Sequence, residues 1–263
     1  MLLFFIICLI VGCFAGFLAG LFGIGGGLVI VPVLVYLLPM VGIADHQIMS
    51  VALGTSFATI VITSASSAYN HYKVGNVDLS SLKIFAPMLM ISAYVASLFV
   101  SQLPKSYSIK IFACLVIYLA TKMILSIKSE KGDKPLTSTA AVIGGSLIGI
   151  ASSGAGIGGG GFIVPFLNAR GYEMRQAIGS SSFCGALLAT SGVSSYITSG
   201  WNLQGMPEYS LGYIYLPAVL AITATSFFTT KLGVIVTSRL PVATLKKAFA
   251  VFLICVAIRM IFT

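Results

Sequence analysis

Charged residues in this chain are pushed to the ends of long apolar runs. None precedes Asp45, none falls between Lys134 and Arg170, and none falls between Arg175 and Glu208. A helix needs only about 20 such residues to cross a bilayer. Runs bounded by Pro, Gly or charge predict membrane-spanning helices near residues 2–22, 47–70, 82–102 and 106–127, and again near 138–155, 175–199, 210–236 and 241–262. Two shorter apolar segments, 28–38 and 161–168, follow glycine-rich interruptions. The expected fold class is therefore an all-α polytopic membrane protein of about eight transmembrane helices.

The pattern occurs twice. Gly23-Ile-Gly-Gly-Gly27 and Gly156-Ile-Gly-Gly-Gly160 open segments that agree at nine of twelve positions, including Pro32 with Pro165 and Leu34 with Leu167. A second block repeats in the same order. Lys110, Phe112, Ala113, Ile117, Ala120, Met123 and Ile124 recur as Lys247, Phe249, Ala250, Ile254, Ala257, Met260 and Ile261. The chain thus reads as a first transmembrane repeat over 1–127, a hydrophilic linker over 128–137, and a second repeat over 138–263. Eight simply alternating spans would set the repeats parallel. An inverted arrangement needs the segment after each break to count as a crossing or one span to stop midway. Leu28 to Leu38 would rise roughly 16 Å as a helix, about half the hydrocarbon thickness, which suggests a re-entrant half-helix.

Unwound backbone at membrane depth is tolerated only where protein buries it or it lines a watery cavity, and in transporters built from repeats such breaks mark the substrate site. Glycine permits positive φ and lets a ligand or a second backbone come close. A helix restarting at Gly27 or Gly160 would aim unpaired N–H groups and a positive dipole end at the break, an arrangement suited to an oxyanion. Each end carries roughly half an elementary charge, so two converging ends offset about one negative charge without a cation in the membrane. Gly23, Gly25, Gly26, Gly27, Gly156, Gly158, Gly159 and Gly160 are the candidate main-chain binding residues. The alternative use of glycine is close helix packing, which suits Gly12, Gly16 and Gly20 at four-residue spacing better.

Hydroxyl groups add neutral donors. Thr55 and Ser56 align with Ser181 and Ser182, and Ser152 and Ser153 precede the second break. Any of them could instead bond its own helix backbone. Asn70-His-Tyr-Lys73 and Gly75-Asn-Val-Asp78 end the second span, and their counterpart, Tyr196 to Asn202, lacks the histidine, lysine and aspartate. His71, Lys73 and Asp78 are accordingly candidates for coupling or gating, with a solvated loop as the plainer alternative. No carboxylate stands in the middle of a span, so the usual mark of an intramembrane proton relay is missing.

Composition narrows the class further. The chain is 58% hydrophobic and 8% charged, with mean hydropathy +1.05 and a formal charge of +9. In a soluble protein that charge would suggest nucleic acid; here the basic residues sit at span ends, where they meet lipid headgroups and set topology. Under simple alternation eight of them fall on one face and six on the other, which leaves orientation open. The run from Met1 to Phe22 lacks a basic start and carries Gly12 and Gly16, matched by Gly145 and Gly149, so it reads as mature structure and not as a signal peptide. The five cysteines have no metal-ligand spacing, and neither cofactor nor metal is expected. The expected partners are a small anionic substrate and the bilayer, with no nucleic acid; oligomeric state is open.

On the two Gly-x-Gly-Gly-Gly blocks with their following prolines, Lys73-Val-Gly75-Asn-Val-Asp78, Leu211-Gly-Tyr-Ile-Tyr-Leu-Pro217, and Leu240-Pro241 with Lys246-Lys247, the chain resembles the TauE/SafE family over nearly its whole length. The resemblance implies a multi-span permease of the bacterial cytoplasmic membrane that moves small anions such as sulfite or organosulfonates, usually outward. It departs from the pattern at Ser199-Gly-Trp201-Asn202. A carrier working by alternating access is the leading expectation. An anion channel, or an uptake permease for another small anion, is the alternative, and an enzyme fits least because paired carboxylates and a Ser-His arrangement are missing.

Overall fold

The computed structural model describes residues 2–79, 82–125, 132, 135–203 and 205–239, together with positions 250, 253, 254, 257 and 258. Nine α-helices are formed among the described residues: α1 (Leu2–Phe22), α2 (Gly27–Leu37), α3 (Ile48–Lys73), α4 (Phe85–Ser101), α5 (Lys105–Leu125), α6 (Ser138–Ala155), α7 (Gly160–Ala169), α8 (Met174–Gly200) and α9 (Leu216–Arg239). Two 3-10 turns, Leu38–Val41 and Asp45–Gln47, join α2 to α3. Four of the helical stretches are long and apolar enough to cross a membrane: Leu2–Phe22, Asp45–Lys73, Ser138–Ala155 and Leu216–Thr237. The predicted boundaries hold within a few residues for the first six spans. The span placed at 210–236 begins later, because β1 (Ser210–Leu211) and β2 (Ile214–Tyr215) form an antiparallel hairpin with Ser210 opposite Tyr215, so the fold is not purely helical. The span placed at 241–262 lies largely outside the described residues, as does most of the linker.

Small residues decide which helices pair. Gly12, Gly16 and Gly20 form a groove along α1, and a Cβ on them would come within 2.2 Å of Ile222 O, 2.4 Å of Ser226 O and 2.1 Å of Thr230 O. The backbones of α1 and α9 therefore touch and run parallel, held by dispersion and by hydroxyl bonds such as Thr225 Oγ1 to Leu9 O (2.8 Å) and Thr237 Oγ1 to Leu21 O (3.0 Å). Close packing was the expected use of this glycine row. The same device joins α4 to α6: Gly145 faces Phe85 O, Gly149 faces Leu89 O, and Ser153 Oγ donates to Ala93 O at 3.0 Å.

At one end of the bundle the hairpin lies against the start of α3 and the end of α8. Tyr215 N donates to Thr55 Oγ1 (3.0 Å), and Tyr213 N donates to Tyr196 O (3.2 Å). The Phe4 ring of α1 meets the Tyr215 ring edge-on. At the opposite end, His71 of α3 reaches Gly20 O of α1 (3.1 Å), and Phe166 of α7 stacks on Phe85 of α4. Thus α1, α3 and α9 run away from the hairpin end, whereas α4, α6 and α8 run towards it. Simple alternation of eight spans does not describe this path, because α2 itself returns towards the hairpin end: Gly25 lies beside Ser64, Gly27 beside Ser56, and Val31 approaches Gly156 next to Leu53. α7 leaves the same level in the opposite direction and ends beside Gly144 and Phe85.

Candidate functional site

Each glycine break ends in a left-handed residue that caps the next helix, Gly26 (φ 84°) for α2 and Gly159 (φ 74°) for α7. A side chain at either cap would be strained, which is why the sequence uses glycine there. The first hydrogen bonds of α2 run from Val29 and Ile30 to Gly26 O, and those of α7 from Phe162 and Ile163 to Gly159 O. The amides of Gly27, Leu28, Gly160 and Gly161 consequently have no acceptor within their helices.

The two breaks touch. A Cβ on Gly27 would stand 2.3 Å from Gly156 O, and one on Gly160 would stand 2.0 Å from Gly23 O. The N-terminus of α2 thus abuts Gly156 at the end of α6, and that of α7 abuts Gly23 at the end of α1, with α2 and α7 leaving in opposite directions. Each break is also held by the long helix of the other half. Ser56 Oγ of α3 donates to Gly156 O (2.8 Å), and Ser181 Oγ of α8 donates to Gly23 O (3.2 Å). Thr63 Oγ1 adds a bond to Gly25 O (3.0 Å). These hydroxyls take up carbonyls at the breaks and tie the two breaks to α3 and α8.

The remaining candidates divide. Ser182 lies beside Gly23 and shares a hydrogen with Ser67 at 2.9 Å. Thr55 faces the hairpin, and Ser153 is committed to Ala93 O and Gly149 O, so neither lies at the crossing in this arrangement. His71 is fully buried; with Nε2 donating to Gly20 O, its Nδ1 accepts from Asn76 Nδ2 at 3.4 Å, so it locks α1 to α3. Lys73 is exposed over the Tyr69 ring, and the Asp78 amide donates to Ser180 Oγ (3.2 Å). These three residues gather at the end away from the hairpin, not at the breaks.

Two further hydroxyls stand closer: Ser152, named with Ser153 before the second break, and Ser64, which the sequence did not single out. Ser64 Oγ and Ser152 Oγ are buried, with residue exposures of 1% and 0%, and neither has a hydrogen-bond partner. Ser64 Oγ is 2.9 Å from where a Cβ on Gly25 would be and 3.5 Å from that on Gly158, and Ser152 Oγ is 3.2 Å from that on Gly159. Leaving a buried hydroxyl unpaired costs about 1–3 kcal/mol. One such hydroxyl therefore stands at each break with its donor unused. Ser152 was visible from its place before the second break; nothing in the sequence singles out Ser64 from the other hydroxyls of α3. Ile60 fills the space between the breaks, its Cγ2 within 2.9 Å of both the Gly25 and the Gly158 Cβ positions.

A cavity of about 70 Å³ approaches the crossing from the end away from the hairpin. Backbone of Gly160 and Gly161 and the side chains of Ile24, Leu28 and Lys122 line it, with Asn168 of α7 also present. Asn168 Nδ2 is occupied by Tyr172 O (3.1 Å). On the hairpin side the way is shut by Phe57 and Tyr196, both fully buried, and by Tyr213 and Tyr215. Burial pushes the phenols of Tyr213 and Tyr215 above the usual tyrosine range, so both stay neutral at this seal. Among the described residues no group of three metal-binding side chains exists.

Residues 8–260 match the family model described as sulfite exporter TauE/SafE. The chain is 64% identical to a probable membrane transporter protein of Haemophilus influenzae over 99% of both chains. It is 31% identical to one of Methanocaldococcus jannaschii, covering 86% of this chain and 84% of the other, and 28% identical to the probable membrane transporter protein YunE of Bacillus subtilis, covering 98% and 97%. No solved structure matches the chain.

Proposed function

The chain belongs to the TauE/SafE family of membrane transporters, and from that premise we propose that it is a permease of the cytoplasmic membrane that exports a small sulfur-containing anion, sulfite or an organosulfonate. The single observation that carries the reading is that the two breaks pack against each other, each starting a half-helix there with a buried and unpartnered hydroxyl beside it. Two converging ends supply about one unit of positive charge, with amide and hydroxyl donors for oxygen atoms. A lysine fixed there would hold the cargo more tightly and be costly to bury. Neutral donors suit a ligand that must leave again.

In this reading the two halves are inverted repeats, and α1–α2 and α6–α7 are re-entrant hairpins whose half-helices start at the bilayer midplane. Corresponding helices run in opposite directions, as α1 and α6 do, and as α3 and α8 do. The cavity on one side and the tyrosine-lined seal on the other make this a state open to one face, as alternating access requires. A closed seal of buried aromatics favours a carrier over a channel.

Reconstituted protein should take up radiolabelled sulfite into liposomes with saturation, tested beside sulfate, thiosulfate and sulfoacetate with and without a pH gradient. The variant carrying Ser64→Ala and Ser152→Ala removes two unpaired buried hydroxyls, so its thermal stability should hold or rise. Its half-saturating sulfite concentration should increase roughly tenfold, the equivalent of about 1.4 kcal/mol. Unchanged half-saturation in that variant would remove the hydroxyls from the site. Failure of the wild-type protein to move any of the four anions would end the reading.

A further inference from the structure

The path of the helices changes the reckoning of charge. Because α2 returns to the hairpin end, the residues at the opposite end are Lys73 and Lys83 around the α3–α4 connection, Lys122 near the end of α5, Arg170 and Arg175 between α7 and α8, and Lys231 and Arg239 on the far half of α9. Only Lys105 and Lys110 among the described residues lie towards the hairpin end, and Lys105 is paired there with Asp45. Among the described residues the division is therefore seven against two, and simple alternation would have grouped these residues differently, with Lys105 and Lys110 beside Arg170, Arg175, Lys231 and Arg239. Cytoplasmic connections carry the excess of Lys and Arg in membrane proteins.

One of the seven is placed differently from the rest. Lys122 lines the cavity that leads to Gly160, Gly161 and Leu28, and among the described residues it is the one cation lining it. Its ammonium lies 5.9 Å from the centre of the Tyr118 ring, and the residue is solvent-exposed. Below it the walls are apolar, formed by Leu119, Val164, Pro165 and Ile178, until the free amides of α7 are reached. A cation at the mouth and helix amides at the floor form a two-step gradient for a negative solute, with attraction weakly screened inside the cavity.

We infer that the Lys122 end of the molecule faces the cytoplasm and that Lys122 captures the anion at the cavity mouth before it passes to the crossing of the breaks. The orientation rests on the helix path and the basic residues alone, whereas the capture role rests on the anion-permease reading above. The captured species is a small oxyanion presented from the cytoplasm, so loading from this side agrees with export.

Two measurements separate the parts. In a cysteine-free background, Lys83→Cys and Asn202→Cys are treated with a membrane-impermeant maleimide on intact spheroplasts. Asn202→Cys should label directly, and Lys83→Cys only after permeabilisation; the reverse pattern overturns the orientation. In proteoliposomes of known orientation, Lys122→Gln should raise the half-saturating concentration of radiolabelled sulfite at the Lys122 face roughly tenfold, with the maximal rate within about twofold. Lys122→Arg, which keeps the charge, should stay within about threefold of the wild type. Equal losses in both variants, or none in either, overturn the capture role while wild-type transport stands. Expected labelling of the cysteine variants together with no anion movement by the wild-type protein overturns the permease reading and the capture role with it, and leaves the orientation supported.

Discussion

At the first break Gly25 and Gly27 are pressed against Ile60, Ser64 and Gly156 while the side chains of Ile24 and Leu28 line the cavity beneath Lys122, whereas at the second Gly160 and Gly161 themselves line that cavity. The two segments share nine of twelve residues, yet the first gives the hollow apolar side chains and the second gives it bare glycines. Part of the difference is the aligned pair Leu28 and Gly161, and part is what surrounds the breaks. Helix α3 sends the bulky Ile60 between the breaks, and the residue of α8 that aligns with it, Ala186, is small and lies elsewhere, against Tyr69 and Phe183. A duplicated backbone thus supplies two equivalent sets of amides, and unequal side chains decide which set is exposed in a given state.

The contrast can be broken most severely at its backbone contacts. Gly27→Val or Gly160→Val would drive a side chain into a carbonyl of the other break, where no rotamer offers relief. Each should abolish sulfite flux and destabilise the protein by about 1–3 kcal/mol or more, measured as a lowered unfolding temperature in detergent. Equal sensitivity at the two positions would show that the breaks work as one unit; a tolerated Gly27→Val would mean that only the second break binds. Ile60→Ala attacks the asymmetry itself. It should cost about 2–5 kcal/mol in stability and admit water between the breaks, read as a sulfite leak that no longer saturates. Retained saturation would show that Ile60 is not the plug. The smallest effect is expected from Ser56→Ala and Ser181→Ala, each of which leaves a buried carbonyl unpaired at a cost of about 1–3 kcal/mol. Their unfolding temperatures should fall by similar amounts, since the two bonds are near-equivalent; a large inequality would show that one break is the more firmly held.

Much of the bundle was legible because a bilayer leaves a coarse signature. Apolar length alone located α1, α3, α4, α5, α6 and α8, and adjacent glycines located both breaks. Direction was not legible. Nothing in the residues from Gly23 to Gly27 states that the chain turns back beside Ala15, since that follows from contacts with α3 and α7 that are distant in sequence. The hairpin at Ser210–Tyr215 escaped for a related reason: its apolar residues continue into α9, and hydropathy does not distinguish them from a helix start. The hydroxyls of Ser56 and Ser181 were found as members of a cluster, but their role as donors to the opposite break depends on partners 100 and 158 residues away. Lys122 left a faint sign, a second lysine towards the far end of an apolar run, whose meaning appears only once the cavity beneath it is known.

The α1–α9 contact sets a schedule for biogenesis. Leu9 accepts its bond from Thr225, 216 residues later in the chain. At synthesis rates of about 5–20 residues per second, the glycine groove of α1 would wait roughly 10–40 s in the membrane before its partner emerges from the ribosome. During that interval the groove is open to any passing helix with small side chains. An insertase or chaperone that shields newly inserted segments would therefore matter more for this protein than for a bundle of sequentially paired hairpins.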